Sequence, residues 1–277
     1  MSEKLIKNSN FQLYLFSLDT EFIRKTVASG VHGIIVDWEN QDKGKRQAGA
    51  DTEINKATIE DLRRVRNCTD ARVICRINGY NSTTTDEIEN AIDSGADEIL
   101  LPMVRSVQEV QDTLDLVADR CGLGILVETV DAVNIADKLS KLPLTRVYVG
   151  LNDLGIERGT PNIFSAIEDG TVEKIRGSFE VPFGFAGLTF PESGYPIQCR
   201  LLMAEMIRLN CDFSFLRRSF TYDIKGKDIS VEVPRILDSF NQHLQRTSEE
   251  IAMDKRFLDH AILNAPDPSE WRIGEKR

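Results

Sequence analysis

Two carboxylates stand where short apolar runs end: Glu128 follows GILV, and Asp153 follows VYVGLN. If these runs are neighbouring buried strands, both acids leave the sheet at the same end and converge. Left alone they would repel and one would tend to take up a proton, whereas Mg²⁺ or Mn²⁺ satisfies both with oxygen ligands and leaves positions for water and substrate. The competing reading is that each acid only caps the helix that follows or pairs with a surface lysine.

Arg76 interrupts another apolar run, VICRIN, where a guanidinium is costly to bury without an anionic partner. That partner is either a substrate carboxylate or enolate, or an ion pair with Asp37 or Glu39. These two acids share one face of a strand by period-two geometry and could also hold a metal-bound water. Asn78, Asn152 and Arg217 are the other polar residues expected at strand ends.

These positions need elements to hold them, and the chain supplies a regular alternation of short apolar runs with amphipathic stretches. Strands are predicted at 11–17, 33–38, 72–78, 98–104, 123–129, 146–152, 184–190 and 213–220, each apolar enough to be buried on both faces. Helices are predicted at 19–29, 57–67, 84–94, 106–119, 130–141, 164–178 and 195–210, with Asp19, Thr84 and Ser106 as N-caps and Gly30 and Gly95 at C-termini. Eight such units suit an α/β (β/α)₈ TIM barrel, in which functional groups gather at the C-terminal ends of the strands. A doubly wound open sheet is the alternative, but its Gly-rich first turn is absent, since Ser17-Leu18-Asp19-Thr20 stands there.

No linker divides the chain, so residues 1–277 are expected to form a single barrel domain. About 230–264 form an additional C-terminal helical segment interrupted early by Pro234, set against the barrel wall or a neighbour, before a polar tail.

The chain has 277 residues with 41% hydrophobic and 28% charged, which suits a folded domain with a substantial core. Net charge is −10, so nucleic acid and anionic membranes are repelled and an anionic substrate needs local cations. The five cysteines show no metal-binding spacing, and no apolar run is long enough for a membrane span. A cytoplasmic location with reduced thiols is expected. Gly-x-Ser-x-Gly, Walker and dinucleotide motifs are lacking, which removes acyl-serine, nucleotide-hydrolysing and dehydrogenase readings. His32 begins a strand at the wrong end for catalysis, and His243 and His260 lie in the C-terminal helical region.

From about residue 11 to about residue 220 the sequence resembles the HpcH/HpaI-type 2-oxo acid aldolases and the related citrate lyase β-subunit proteins. The segment ETVDAVNIADKLSKLPLTRVYVGLNDLGIERG looks like the family's metal segment, with Glu128 and Asp153 in its two ligand positions. ADEILLPMVRSVQEV resembles the fourth-strand signature, and ICRIN carries Arg76 at the position that contacts a substrate carboxylate or carbonyl oxygen. The resemblance implies a metal-dependent carbon–carbon lyase of the aldolase class that works through a metal-stabilised enolate of a 2-oxo acid such as pyruvate. It implies Mg²⁺ or Mn²⁺ as cofactor and a homo-oligomer, trimer or hexamer, with C-terminal helices exchanged. Gly150 would let substrate approach closely or serve close packing, and Thr189 and Asn152 would help line the site, with Glu192 and Ser193 near the mouth. Arg217 or Arg218 could hold a second carboxylate or phosphate, only one of the two pointing inward by strand alternation.

The departures are informative. Aldolases of this type read Asp-Gly-Glu-His after strand two, and the segment here is Asp37-Trp38-Glu39-Asn40. Asn40 cannot act as a base near neutral pH, so Glu39, Asp42 or a metal-bound hydroxide would have to move the proton. The citrate lyase branch reads closer to Asp-Leu-Glu-Asp. Alternative readings are therefore a CoA-ester lyase of that branch and a catalytically lapsed barrel serving as a binding subunit.

Overall fold

The computed structural model describes residues 10–40 and 57–266. Among them run the strands β1 (Gln12–Phe16), β2 (Gly33–Asp37), β3 (Arg72–Arg76), β4 (Glu98–Leu101), β5 (Gly122–Val127), β6 (Arg146–Val149), β7 (Phe183–Phe185), β8 (Gly187–Leu188) and β9 (Phe213–Leu216). Every pairing is parallel, in the order β7-β6-β5-β4-β3-β2-β1-β9-β8. The two ends of that order are halves of one strand, broken at Ala186, whose φ of 51° lies in the left-handed region. The first half pairs with β6 and the second with β9, so the ring closes almost completely into an α/β TIM-type barrel. Each predicted strand is present. The seventh is split, and most end two or three residues early, so that Asn78, Glu128 and Asn152 lie beyond the strands whose predicted ranges held them.

The helices among the described residues are α1 (Thr20–Ala28), α2 (Ile59–Cys68), α3 (Thr84–Asp93), α4 (Val107–Val117), α5 (Val130–Asn134), α6 (Ala136–Leu139), α7 (Leu151–Arg158), α8 (Ser165–Glu168), α9 (Thr171–Ser178), α10 (Cys199–Arg208), α11 (Phe220–Asp223), α12 (Ile229–His243) and α13 (Ser248–Leu263). Asp19 caps α1 by accepting from the N–H groups of Glu21 and Phe22, and Ser106 forms a reciprocal box with Glu109 at α4. Thr84 is not a cap. Thr83 holds that position, and the buried Thr84 hydroxyl accepts from the Asn81 N–H instead. Gly30 and Gly95 follow helix ends at positive φ, as expected.

The C-terminal stretch forms two helices, and α12 continues through Pro234 rather than being interrupted there. Pro234 falls in its second turn, where the cost is one lost N–H bond and some local crowding. α12 packs on α1 and α10, and α13 on α8 and α10. Phe240 of α12 stacks on Phe11 at 3.7 Å between ring centroids. All five cysteines are free thiols. Among the described residues no helix is long and apolar enough to cross a membrane.

Strand alternation divides the core in two. Leu13, Leu15, Ile34, Val36, Val73, Cys75, Ile125, Val127, Val147 and Val149 belong to the layer between barrel and helices. Tyr14, Phe16, Ile35, Ile74, Leu100, Leu126, Tyr148, Phe213 and Phe215 fill the barrel interior. Low in that interior, buried Glu98 accepts from Arg146 Nε at 2.5 Å and from Thr145 Oγ1 at 2.9 Å, while Arg146 lies against the Tyr14 and Phe213 rings. Arg72 Nη1 also donates to Glu98 at 3.1 Å, so it is removal of Glu98 that would strand a buried charge, that of Arg146, at a cost of about 3–5 kcal/mol. The pair lies at the opposite end from the strand termini where the other charges gather.

Candidate active site

Counting in twos from the interior residues identifies what faces the upper mouth of the barrel. Ile35 is followed by Asp37, Ile74 by Arg76, Leu126 by Glu128, Tyr148 by Gly150 and Phe215 by Arg217. The aromatic floor beneath them is continuous: Tyr148 stacks on Phe215 at 3.9 Å, and Phe16 meets Phe215 edge-on at 5.4 Å.

Arg76 and Asp37 form a two-pronged pair, Nε donating to Oδ1 at 2.8 Å and Nη2 to Oδ2 at 2.6 Å. Glu39 approaches Nη1 at 3.3 Å, and the Phe16 ring lies 5.2 Å below the guanidinium carbon. Burial works against the Arg76 charge, but Asp37 and then Glu39 more than compensate and hold its pKa above the ordinary value. Of the two partners the sequence left open, the ion pair is therefore present, and both acids take part. The backbone of this corner is also tied: the Glu39 N–H donates to Asp37 Oδ1, and the Asn40 N–H to Asn78 Oδ1. Asn78 is itself held at both ends by Glu87 of α3, which makes it a brace for the loop.

Glu128 is the first residue past β5 and is 2% exposed. Its Oε1 accepts from the Met103 N–H at 2.9 Å, and Met103 adopts a left-handed φ of 55° to present that group. The next residue, Thr129, turns the opposite way, caps α5 by accepting from the Ala132 N–H, and donates to the Val104 carbonyl. Division of labour at this exit follows from alternation alone. The Glu128 carboxyl is pushed up to about 8, first by burial and then by the negative charges of Asp153 and Glu39.

Asp153 sits in the first turn of α7, which starts directly after Gly150 at the end of β6. A β-carbon at Gly150 would stand 2.2 Å from Glu128 Oε2, so the close-packing reading of this glycine is the one the geometry carries. Asn152 is half-buried one residue before Asp153. Thr189 is buried, but its hydroxyl donates to Asp223 of α11 at 2.5 Å. Glu192 forms a two-pronged pair with Arg235 of α12. Asp42 lies outside the described residues. His32 accepts from the Leu13 N–H at the lower end of the barrel, away from this site.

Asp37, Glu39, Arg76, Glu128, Gly150 and Asp153 are thus brought to one place. Among the described residues no group of three or more His, Cys, Asp or Glu forms a metal-sized cluster. The donor set nonetheless fits Mg²⁺ or Mn²⁺, because Mg²⁺ characteristically takes one or two carboxylates and fills the rest of its shell with water and substrate oxygens. The raised Glu128 carboxyl points the same way: a buried carboxyl that resists ionisation next to other acids gains from a divalent cation beside it. Sequence reasoning missed Met103, Tyr148, Phe16 and Phe215. Tyr148 and Phe215 could have been found from the alternations that end in Gly150 and Arg217, and Phe16 from that of the first strand through Tyr14, whereas nothing in the sequence marks the Met103 backbone.

A family model described as HpcH/HpaI aldolase/citrate lyase matches residues 10–163, more than half of the chain. Among solved structures, RipC from Yersinia pestis is similar at 15% identity and a TM-score of 0.54, over 88% of this chain and 99% of that one. Citrate synthase SbnG is similar at 17% identity and a TM-score of 0.53, over 80% of this chain and 93% of that one. At these identities the two likenesses speak to the fold. A search of curated proteins gives no match.

Proposed function

The chain belongs to the HpcH/HpaI aldolase/citrate lyase family, and from that premise we propose that it is a single-barrel, divalent-metal-dependent carbon–carbon lyase acting on a 2-oxo acid such as pyruvate or on a related carboxylated substrate. The observation that carries this is the convergence of Glu128, with Asp153 in electrostatic reach, on Arg76 and Glu39 at the barrel mouth. Glu128 and Asp153 would hold Mg²⁺ or Mn²⁺, which when bound supplies Lewis-acid polarisation of the substrate ketone.

The remaining work falls to the chain's own groups. Arg76 is fixed by Asp37 through two donors, so its guanidinium is oriented before substrate arrives and can balance the negative charge that develops on the ketone oxygen. Glu39 is 2% exposed and touches Arg76, and it is the carboxylate to which we assign the proton transfer that Asn40 cannot perform. Phe16, Phe215 and Tyr148 close the site from below and exclude water. Gly150 leaves the space that the Glu128 side chain fills, and half-buried Asn152 stands beside Asp153 at the start of α7.

Asn40 keeps a second reading, a CoA-ester lyase of the citrate lyase kind, because a histidine is not there for the aldol proton. Thermal shift with Mg²⁺ plus oxalate or pyruvate, against Mg²⁺ plus a malonyl-type CoA ester, separates the two. Stabilisation by oxalate only when Mg²⁺ is present supports the 2-oxo acid reading, stabilisation by the ester alone supports the second, and no response to either contradicts both.

A further inference from the structure

We propose that Arg217 selects the substrate: it receives a second anionic group, distal to the 2-oxo acid end, and makes the site specific for dianionic substrates. The inference rests on the reading of the site given above and adds to it a substrate class and a residue.

Arg217 occupies the interior register of the last strand, two residues after Phe215 and four after Phe213, both of which lie inside the barrel. Its backbone is fixed by the Arg217 N–H donating to the Leu188 carbonyl at 2.8 Å. The half-buried guanidinium donates through Nε and Nη2 to one acceptor, the Gly187 carbonyl, at 3.2 and 3.1 Å. No other hydrogen bond or ion pair involves it among the described residues, so Nη1 has no partner there and the charge has no counter-ion. That contrasts with Arg76, which two carboxylates compensate in the same mouth. A half-buried cation facing the interior without an acid is unfavourable alone and favourable with an anion in front of it.

The placement suits a distal group. Arg76 lies over Phe16, Phe16 meets Phe215, and Phe215 stacks on Tyr148, while Arg217 follows Phe215 by two residues on β9, three strands round the barrel from the β3 that carries Arg76. The Tyr148 side chain is within electrostatic reach of Arg217, Arg76 and Glu128 together. A substrate held at its 2-oxo acid end beside Glu128 and Arg76 would extend across that floor toward Arg217. Gly187 leaves room for this arrangement, since a β-carbon there would stand 2.9 Å from Arg217 Cβ. Arg218, the other arginine of the pair, is exposed.

The test is calorimetric binding, in the presence of Mg²⁺, of 2-oxo dicarboxylates of increasing chain length and of the matching 2-oxo monocarboxylates. The wild type is expected to favour dicarboxylates at one chain length by about tenfold or more. Arg217→Gln should abolish that preference while keeping monocarboxylate affinity, Arg217→Lys should restore part of it, and Arg218→Gln should leave it intact. A role confined to stapling the strand break at Ala186 would lower the melting temperature of Arg217→Gln without moving the ratio. Monocarboxylate binding with no dicarboxylate preference at any length, or a preference that survives Arg217→Gln, overturns the proposal while the reading of the site stands. If neither class binds the wild type, that reading fails and the role of Arg217 falls with it.

Discussion

A β-carbon at position 150 would lie 2.2 Å from Glu128 Oε2 and 2.9 Å from Glu128 Cβ, so the carboxylate occupies space that only a glycine leaves open. Gly150→Ala is therefore expected to drive the Glu128 side chain out of its place. Overpacking of this kind costs about 1–3 kcal/mol, and the larger consequence should be loss of Mn²⁺ binding in titration. A Gly150→Ala protein that binds Mn²⁺ like the wild type would show that the Glu128 position is not the ligand position.

Arg76→Lys should keep the fold and lose most activity. An ammonium cannot reproduce two donors aimed at the two Asp37 oxygens and a third nitrogen toward Glu39, so the cation would no longer be oriented in advance. We expect a stability loss of about 2 kcal/mol and a fall in kcat/KM of at least about 100-fold. Unchanged kcat/KM on the substrate identified by thermal shift would remove Arg76 from the chemistry.

The folded carboxyl of Glu128 sits at about 8, above its value of about 4.3 in an unfolded chain. The native state thus retains a proton that the unfolded state releases. Its contribution to stability is complete below the unfolded pKa and is lost as pH rises through the folded one. In EDTA, stability should fall between about pH 4.5 and pH 8 by something on the order of 3 kcal/mol, and Glu128→Gln should flatten that slope. Denaturant melts across this range, with identical slopes for both proteins, would sink the claim that Glu128 is held protonated.

The barrel was legible because strands buried on both faces are short apolar runs, and all eight stand out between amphipathic helices. The placement of Glu128 and Arg76 followed from the same pattern, since a charge that ends or interrupts such a run must lie where the strand leaves the barrel. Partnership was less legible. Arg76 could face substrate or Asp37 on spacing alone, and only the parallel β2–β3 register, which sets Asp37 beside Arg76, decides for the pair. The break at Ala186 and the left-handed Met103 are backbone events at residues with no glycine to announce them. Thr83 and Thr84 are adjacent hydroxyls of equal capping aptitude, and the turn around Asn81 decides between them.

Asn40→His tests the reaction class. Position 40 is exposed beside Glu39, and its N–H is anchored on Asn78 Oδ1 at 2.9 Å, so an imidazole there would stand at the mouth on a fixed backbone. If the chain is a diverged aldolase, retro-aldol turnover of 4-hydroxy-2-oxo acids should rise by about tenfold or more, as general-base catalysis allows. No gain, with the imidazole placed correctly in a crystal, would favour the CoA-ester reading.

The central claim is that Glu128 and Asp153 hold a divalent cation, and the direct measurement is calorimetric titration of Mn²⁺ into wild type, Glu128→Gln and Asp153→Asn. Each substitution keeps a carbonyl oxygen and the side-chain volume while removing one negative charge. Binding to the wild type with loss of most affinity in both variants, and metal-free melting of Glu128→Gln in EDTA at or above the wild-type temperature, is the expected result. Wild-type affinity for Mn²⁺ in both variants would contradict it, and the chemistry argued for this site would have no foundation.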